Sequence, residues 1–321
     1  MKKLFLIWIL IFACLLTTGC DAMRVPLNGA QENEDHTEAG VSGSAASERE
    51  STASESDRET LQSADTESVQ EQPDAFWRTR PYHGLGTNDI LEGDRQVHLF
   101  FIDDNESQWD EASIEAFTQK QILLGLDFLE DEAQRYGISL NFSIKKYATV
   151  FDEGYELHYD GIIKDGDNGS HTLDLHKCAA RALGYENEVE LHDELYMKNG
   201  YCEVVFLFLV NKDGVAYAFQ QAEGSRFYPI VEYATVFVNY LDRDFDLDEI
   251  THAAASVAHE ILHLYGAADL YEPYERKDMA RTLYPEDIML LDYLNVDEMN
   301  LGEFTAYSVG WRSHAPTHVG A

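Results

Sequence analysis

The sequence predicts an α+β domain that is α/β-like in its first half, and three observations carry that prediction. A mostly apolar run, Gln96–Ile102, is followed by a helix-period stretch and then by an alternating segment, Ile138–Ile144, the order of strand, helix and strand. A second apolar run, Glu203–Val210, is the most hydrophobic of the chain after its first twenty residues and reads as a central strand. A stretch ending at Leu264 is apolar nearly all round at helical spacing, which marks a buried helix.

Taken in order, Gln96–Ile102 is rich in aromatic and β-branched residues and stops at Asp103-Asp104. From about Asp110 to Tyr136 the period changes. Ile122, Leu126, Leu129, Ala133 and Tyr136 share one helix face, and Gly137 ends it. A strand, a long helix and another strand predict a right-handed parallel crossover. Residues from about 150 to 202 read as an insertion with short helices near Leu173–Leu183 and Glu188–Met197. Asp165–Gly169 has the composition of a calcium loop but not its spacing, and reads as a surface turn. After Glu203–Val210, Asn211–Gly214 is a turn signal that would return Val215–Phe219 as a hairpin partner. Val231–Val238 reads as the next strand. Asp246 and Glu249 have capping-box spacing at the start of the buried helix, whose stripe is Ile250, Ala254, Val257, Ile261 and Leu264. Asn300 and Glu303 are placed to cap a last helix bearing Leu301, Phe304, Tyr307 and Trp311.

The first part of the chain has a different character. Met1-Lys-Lys followed by Leu4–Leu16 reads as a signal peptide over residues 1–20, too short for a comfortable membrane span. Leu16-Thr-Thr-Gly-Cys20 resembles a bacterial lipobox, which makes Cys20 the expected lipidation site. The chain would then be lipid-anchored at the extracytoplasmic face of a bacterial cell membrane, and an uncleaved anchor would place it on the same side. Residues 21–75 are expected to form a disordered acidic Ser/Glu-rich tether: from Asn28 to Asp74 there is no aromatic residue and no apolar period. The tether carries much of a formal net charge of −36, which argues against nucleic acid and anionic lipid surfaces as partners. Residues 76–314 suit one compact domain, with a tail over 315–321, and a monomer is expected. Cys178 and Cys202, in an oxidising compartment, either form a disulfide that pins the insertion or remain separate thiols.

The chemistry concentrates in His259-Glu-Ile-Leu-His263-Leu-Tyr-Gly266-Ala-Ala-Asp269. H-E-x-x-H on a helix stacks two imidazoles on one face, where both reach one Zn²⁺ and the intervening Glu reaches a water on it. Gly266 stands where the helix would turn sharply, and Asp269 follows the turn. The bland alternative is a buried helix with two satisfied histidines. It does not require Gly266, Asp269 and the later Met289 to fall where they do.

The extended pattern resembles the metzincin metalloproteases, with Asp269 in place of the commoner third His, as in the snapalysin-type branch. The resemblance is specific over about residues 246–311 and only topological before that. It implies a twisted mixed sheet of about five strands with a long backing helix, an active-site helix, a Met-turn at Met289 and a C-terminal helix. It also implies a zinc-dependent endopeptidase acting on a peptide or protein substrate, with His259, His263 and Asp269 as ligands and Glu260 as general base. Tyr293 follows Met289 by four places rather than the family's usual two, and would either stabilise an oxyanion or merely pack. Tyr265 and Tyr271 read as structural, and His252, His314 and His318 have no partner legible in the sequence. The family also binds extended substrates along an edge strand beside the cleft, a place that falls to Val215–Phe219. With Asp as the third ligand the water should be less acidic than at an all-His site, shifting activity toward higher pH. A non-catalytic zinc-binding or sensing lipoprotein on the same fold is the competing reading.

Overall fold

A computed structural model describes residues 77, 80, 86–151, 156–164, 172–200, 202–220, 231–239, 252–271, 274–290 and 295–317. The chain divides between Thr66 and Glu67, and every described residue belongs to the second part. The signal peptide, Cys20, the tether, Asp165–Gly169, Asp246, Glu249, Tyr293 and His318 lie outside the described residues.

The apolar runs form a five-stranded, mostly parallel sheet. Its strands are β1 (Gly93–Ile102), β2 (Leu140–Ala148), β3 (Val204–Asp213), β4 (Tyr217–Phe219) and β5 (Tyr233–Asn239). The order is β2-β1-β3-β5-β4. β1 pairs in parallel with β2 and β3, and β3 pairs in parallel with β5; β4 alone runs antiparallel, on β5. The expected hairpin between Glu203–Val210 and Val215–Phe219 is therefore not formed. β3 continues through Asn211 and Lys212 to Asp213, and β1 and β5 already occupy its two sides, so the returning strand adds beyond β5. That places β4 at the sheet edge.

The central strands are continuously apolar because both sheet faces are covered. Val97, Leu99 and Phe101 of β1 and Val205, Leu207 and Leu209 of β3 enter one core. Phe100 and Ile102, with Val204, Phe206, Phe208 and Val210, enter a second core on the other face.

The first face is covered by a helix in two pieces and by the histidine helix. α1 (Glu111–Phe117) starts on a capping box formed by Asp110 and Ser113. It passes through a π-helical turn (Thr118–Ile122) into α2 (Leu123–Arg135). The predicted face Ile122, Leu126, Leu129 and Ala133 is buried, and it begins only where the π turn ends. The wider turn carries Gln121, whose Oε1 accepts a hydrogen bond from Ala254 N at 3.0 Å, in the first turn of α5 (His252–Leu264). Gly125 makes the close approach of α2 to α5 workable: a Cβ there would stand 2.5 Å from the Ala254 carbonyl oxygen. The chain then forms α6 (Tyr274–Leu283), which the sequence reading does not contain, and α7 (Glu303–Ser308).

The expected cap on the last helix is also corrected. Asn300 donates its side-chain amide to Glu286 instead, and the N-cap position is Gly302. Its amide donates to Asp287 Oδ2 at 2.8 Å, so the cap arrives from another segment. Trp77, 1% exposed, packs edge-on against Phe304 of α7 at 4.7 Å between ring centroids, and Arg80 donates to the Tyr307 carbonyl.

The second face is covered by the insertion, through α3 (Thr172–Ala182) and α4 (Glu188–Lys198). Leu175, Ala179, Leu191 and Leu195 supply its apolar side. Cys178 and Cys202 are free; the buried Cys178 thiol donates to the His158 carbonyl at 3.2 Å, so of the two readings left open it is the separate thiols that hold.

This second core contains two histidines. His176 is buried among Phe206, Phe208 and Tyr233, with neither ring nitrogen hydrogen-bonded. His98 bonds only through Nδ1, to the Tyr147 hydroxyl at 2.9 Å. Burial, reinforced by His192 and Lys145 respectively, lowers the pKa of each to about 3. The folded value lies below the unfolded one, so the neutral rings favour folding fully above about pH 6.5. Their contribution is lost as the pH falls from there toward 3, at about 1.4 kcal/mol per pH unit for each ring. His176→Phe should therefore lose less stability than wild type between pH 7.5 and 5, by about 2 kcal/mol in urea unfolding. Equal losses in the two proteins would show that His176 is not buried neutral.

Candidate metal centre

The histidine helix brings its two imidazoles together by spacing alone. His259 and His263 are one turn apart on α5, with ring centroids 4.7 Å apart and planes at 84°. The helix ends where Gly266 takes φ 91°. There Ala267 N bonds back to Leu262 O at 3.0 Å and Gly266 N to His263 O at 2.9 Å, satisfying carbonyls of the last turn. The turn redirects the chain so that Asp269 comes back over the two rings.

Three ligand atoms then meet. His259 Nε2 and His263 Nε2 are 3.0 Å apart, and each is 3.2 Å from Asp269 Oδ1. Two ligands at about 2.05 Å from a tetrahedral zinc stand about 3.3 Å from each other, so the triangle has the size of one tetrahedral face. The tautomers follow from the far side of each ring. His259 Nδ1 lies 3.0 Å from the Ile288 carbonyl oxygen and His263 Nδ1 lies 2.9 Å from that of Ala267. A carbonyl only accepts, so each Nδ1 carries a proton, and in the neutral rings each Nε2 presents a lone pair. With both Nδ1 atoms committed to carbonyls, the two Nε2 atoms and Asp269 Oδ1 converge as three atoms that one shared cation would satisfy. The donor set therefore fits a divalent metal of zinc type.

Charge and burial agree. His259 is 1% exposed, Glu260 3% and His263 7%. The Asp269 side chain is 32% exposed, although its Oδ1, the oxygen that faces the two rings, is buried. Burial works to raise the Asp269 pKa, but His263 and His259 outweigh it and hold the carboxyl far below the usual carboxylate range. Burial works to lower that of His263, and the Asp269 charge and hydrogen bond more than reverse it. Among the described residues, these three form a cluster that could hold a metal ion.

The surroundings add what spacing could not. Met289 is fully buried; its amide donates to Asp287 Oδ1 at 2.8 Å, and its carbonyl accepts from Leu270 N at 2.9 Å, next to Asp269. Arg276 of α6 donates to the Asp269 backbone carbonyl at 3.3 Å. The Tyr271 ring lies nearly parallel to His259, with centroids 6.4 Å apart. Tyr265 is buried beside Arg95 and Glu203, and burial pushes its hydroxyl pKa well up, in keeping with a structural role. Asp287, the Ile288 and Ala267 carbonyls and Arg276 were missed by sequence reasoning. Carbonyls have no sequence signature, and Asp287 could be noticed only for standing two residues before Met289.

No family model matches this sequence, and no curated protein does.

Proposed function

We propose that the chain is a zinc-dependent metalloendopeptidase of metzincin type, held by a lipid on Cys20 at the outer face of a bacterial membrane. The observation that carries the reading is the convergence of His259 Nε2, His263 Nε2 and Asp269 Oδ1, with both Nδ1 atoms committed to backbone carbonyls. When bound there, zinc would supply Lewis acidity toward water and toward the scissile carbonyl. His259 and His263 would hold it as neutral ligands, and Asp269 would offset one of its charges. Glu260, between the histidines in sequence and buried, is the base: its carboxylate takes a proton from the attacking water and passes it to the leaving amine. Met289 belongs to the segment whose Ile288 carbonyl supports His259. β4, at the sheet edge and packed against α5, is where an extended peptide would add as a further strand.

The test uses the purified protein. Elemental analysis should find about one zinc per chain, and a denatured protein substrate should be cleaved, with cleavage abolished by a chelator and restored by zinc. Metal without cleavage would favour the binding or sensing lipoprotein instead. Absence of metal would remove both readings.

A further inference from the structure

The segment Asp287–Met289 touches the ligand set at two places. The Ile288 carbonyl accepts from His259 Nδ1, and the Met289 carbonyl accepts from the amide of Leu270, which follows Asp269. The segment has no regular secondary structure to hold it. Its fixed point is Asp287, 0% exposed, whose Oδ1 accepts from Met289 N and whose Oδ2 accepts from Gly302 N and Thr305 Oγ1, all at 2.8 Å. Ile288 N and Asn300 O, at 3.0 Å, close the same junction. Gly302 leaves room for the carboxylate, since a Cβ there would stand 2.5 Å from Asp287 Oδ2. By contrast, His263 Nδ1 bonds to the Ala267 carbonyl, within the turn that ends α5, and not to a carbonyl of this segment.

We propose that Asp287 is a positioning residue for the metal centre, tying the C-terminal helix α7 to the Ile288 carbonyl and so orienting His259 but not His263. The assignment of these histidines as ligands rests on the function proposed above; the orientation of His259 does not. Burial raises the Asp287 pKa to about 6 against the pull of its three hydrogen bonds, which is the cost of fixing a carboxylate in this place.

The asymmetry between the two histidines is what an experiment can read. In wild type, both ring Nδ1–H protons should be visible by NMR and slow to exchange with solvent, assigned with His259→Asn and His263→Asn proteins. In Asp287→Asn the His259 proton should exchange at least tenfold faster while that of His263 is unchanged. Zinc affinity, by competition with a chelating dye, should fall about 10–100-fold, the usual effect of removing a group that orients a ligand. Thr305→Val removes only one of the three hydrogen bonds and should shift both readouts in the same direction by less than tenfold. It decides the matter if Asp287→Asn does not fold. The proposal is overturned if both histidine protons are lost together, which is general loosening, or if neither changes. If wild type binds no zinc yet the His259 proton alone responds, the function proposed above is wrong and the positioning role stands.

Discussion

Asp269→Ala protein should keep its fold and lose its zinc. Asp269 lies in the turn after α5 with its side chain 32% exposed, so truncation removes little packing. It does remove one corner of the ligand triangle. The two imidazoles remain, their Nε2 atoms 3.0 Å apart and their Nδ1 atoms still bonded to carbonyls, with no anion to complete the set. Zinc affinity should fall by more than about 100-fold, beyond what loss of an outer hydrogen-bonding partner causes. Peptide hydrolysis should fall with it and recover in part when zinc is added in excess. Asp269→His restores a third ligand of the commoner type and should retain more zinc than the alanine variant. Elemental analysis after dialysis against a weak chelator separates these cases. Wild-type affinity in Asp269→Ala would exclude Asp269 from the ligand set.

Glu260→Gln should give the reverse pattern, with zinc retained and turnover lost. The substitution preserves size and a hydrogen-bonding end but removes the base. The three ligand atoms are unaffected, so stoichiometry should stay near one zinc per chain. Turnover should drop about 10²–10⁴-fold, the usual contribution of a positioned acid–base group. With chemistry rather than binding removed, the loss should appear in kcat and leave KM nearly unchanged. A variant that cleaves as fast as wild type would transfer the base role to another group, and one that loses zinc would make Glu260 a ligand.

What the sequence disclosed depended on whether the signal was periodic. The helix face Leu126, Leu129 and Ala133 and the alternation along β2 repeat at fixed intervals, and the two-sided burial of β3 follows from an unbroken apolar run. The spacing of His259, His263, Gly266 and Asp269 worked for the same reason, since a helix and one turn fix their relation. Pairing partners are not periodic. Asn211–Gly214 looks like a hairpin turn because the signal is local, whereas the partner of β4 was decided by β5 already lying beside β3. α6 escaped notice because its polar surface offers no stripe to count, and the π turn because one extra residue per turn leaves no compositional trace. The cap on α7 was misread for a related reason: a side chain from fifteen residues upstream, Asp287, does what Asn300 was expected to do.

The docking of Trp77 on α7 bears on where this domain can be severed from whatever precedes it. Trp77 covers Phe304 and Tyr284, and Arg80 covers Tyr307 and holds its carbonyl, so a stretch that precedes every described strand supplies one wall of α7. The same helix presents Gly302 and Thr305 to Asp287. A nick upstream of Trp77 would shed the domain with that wall in place. A nick between Arg80 and β1 would bare Phe304 and Tyr307 of α7 and should slacken His259 through Asp287, without touching any residue of the candidate metal centre.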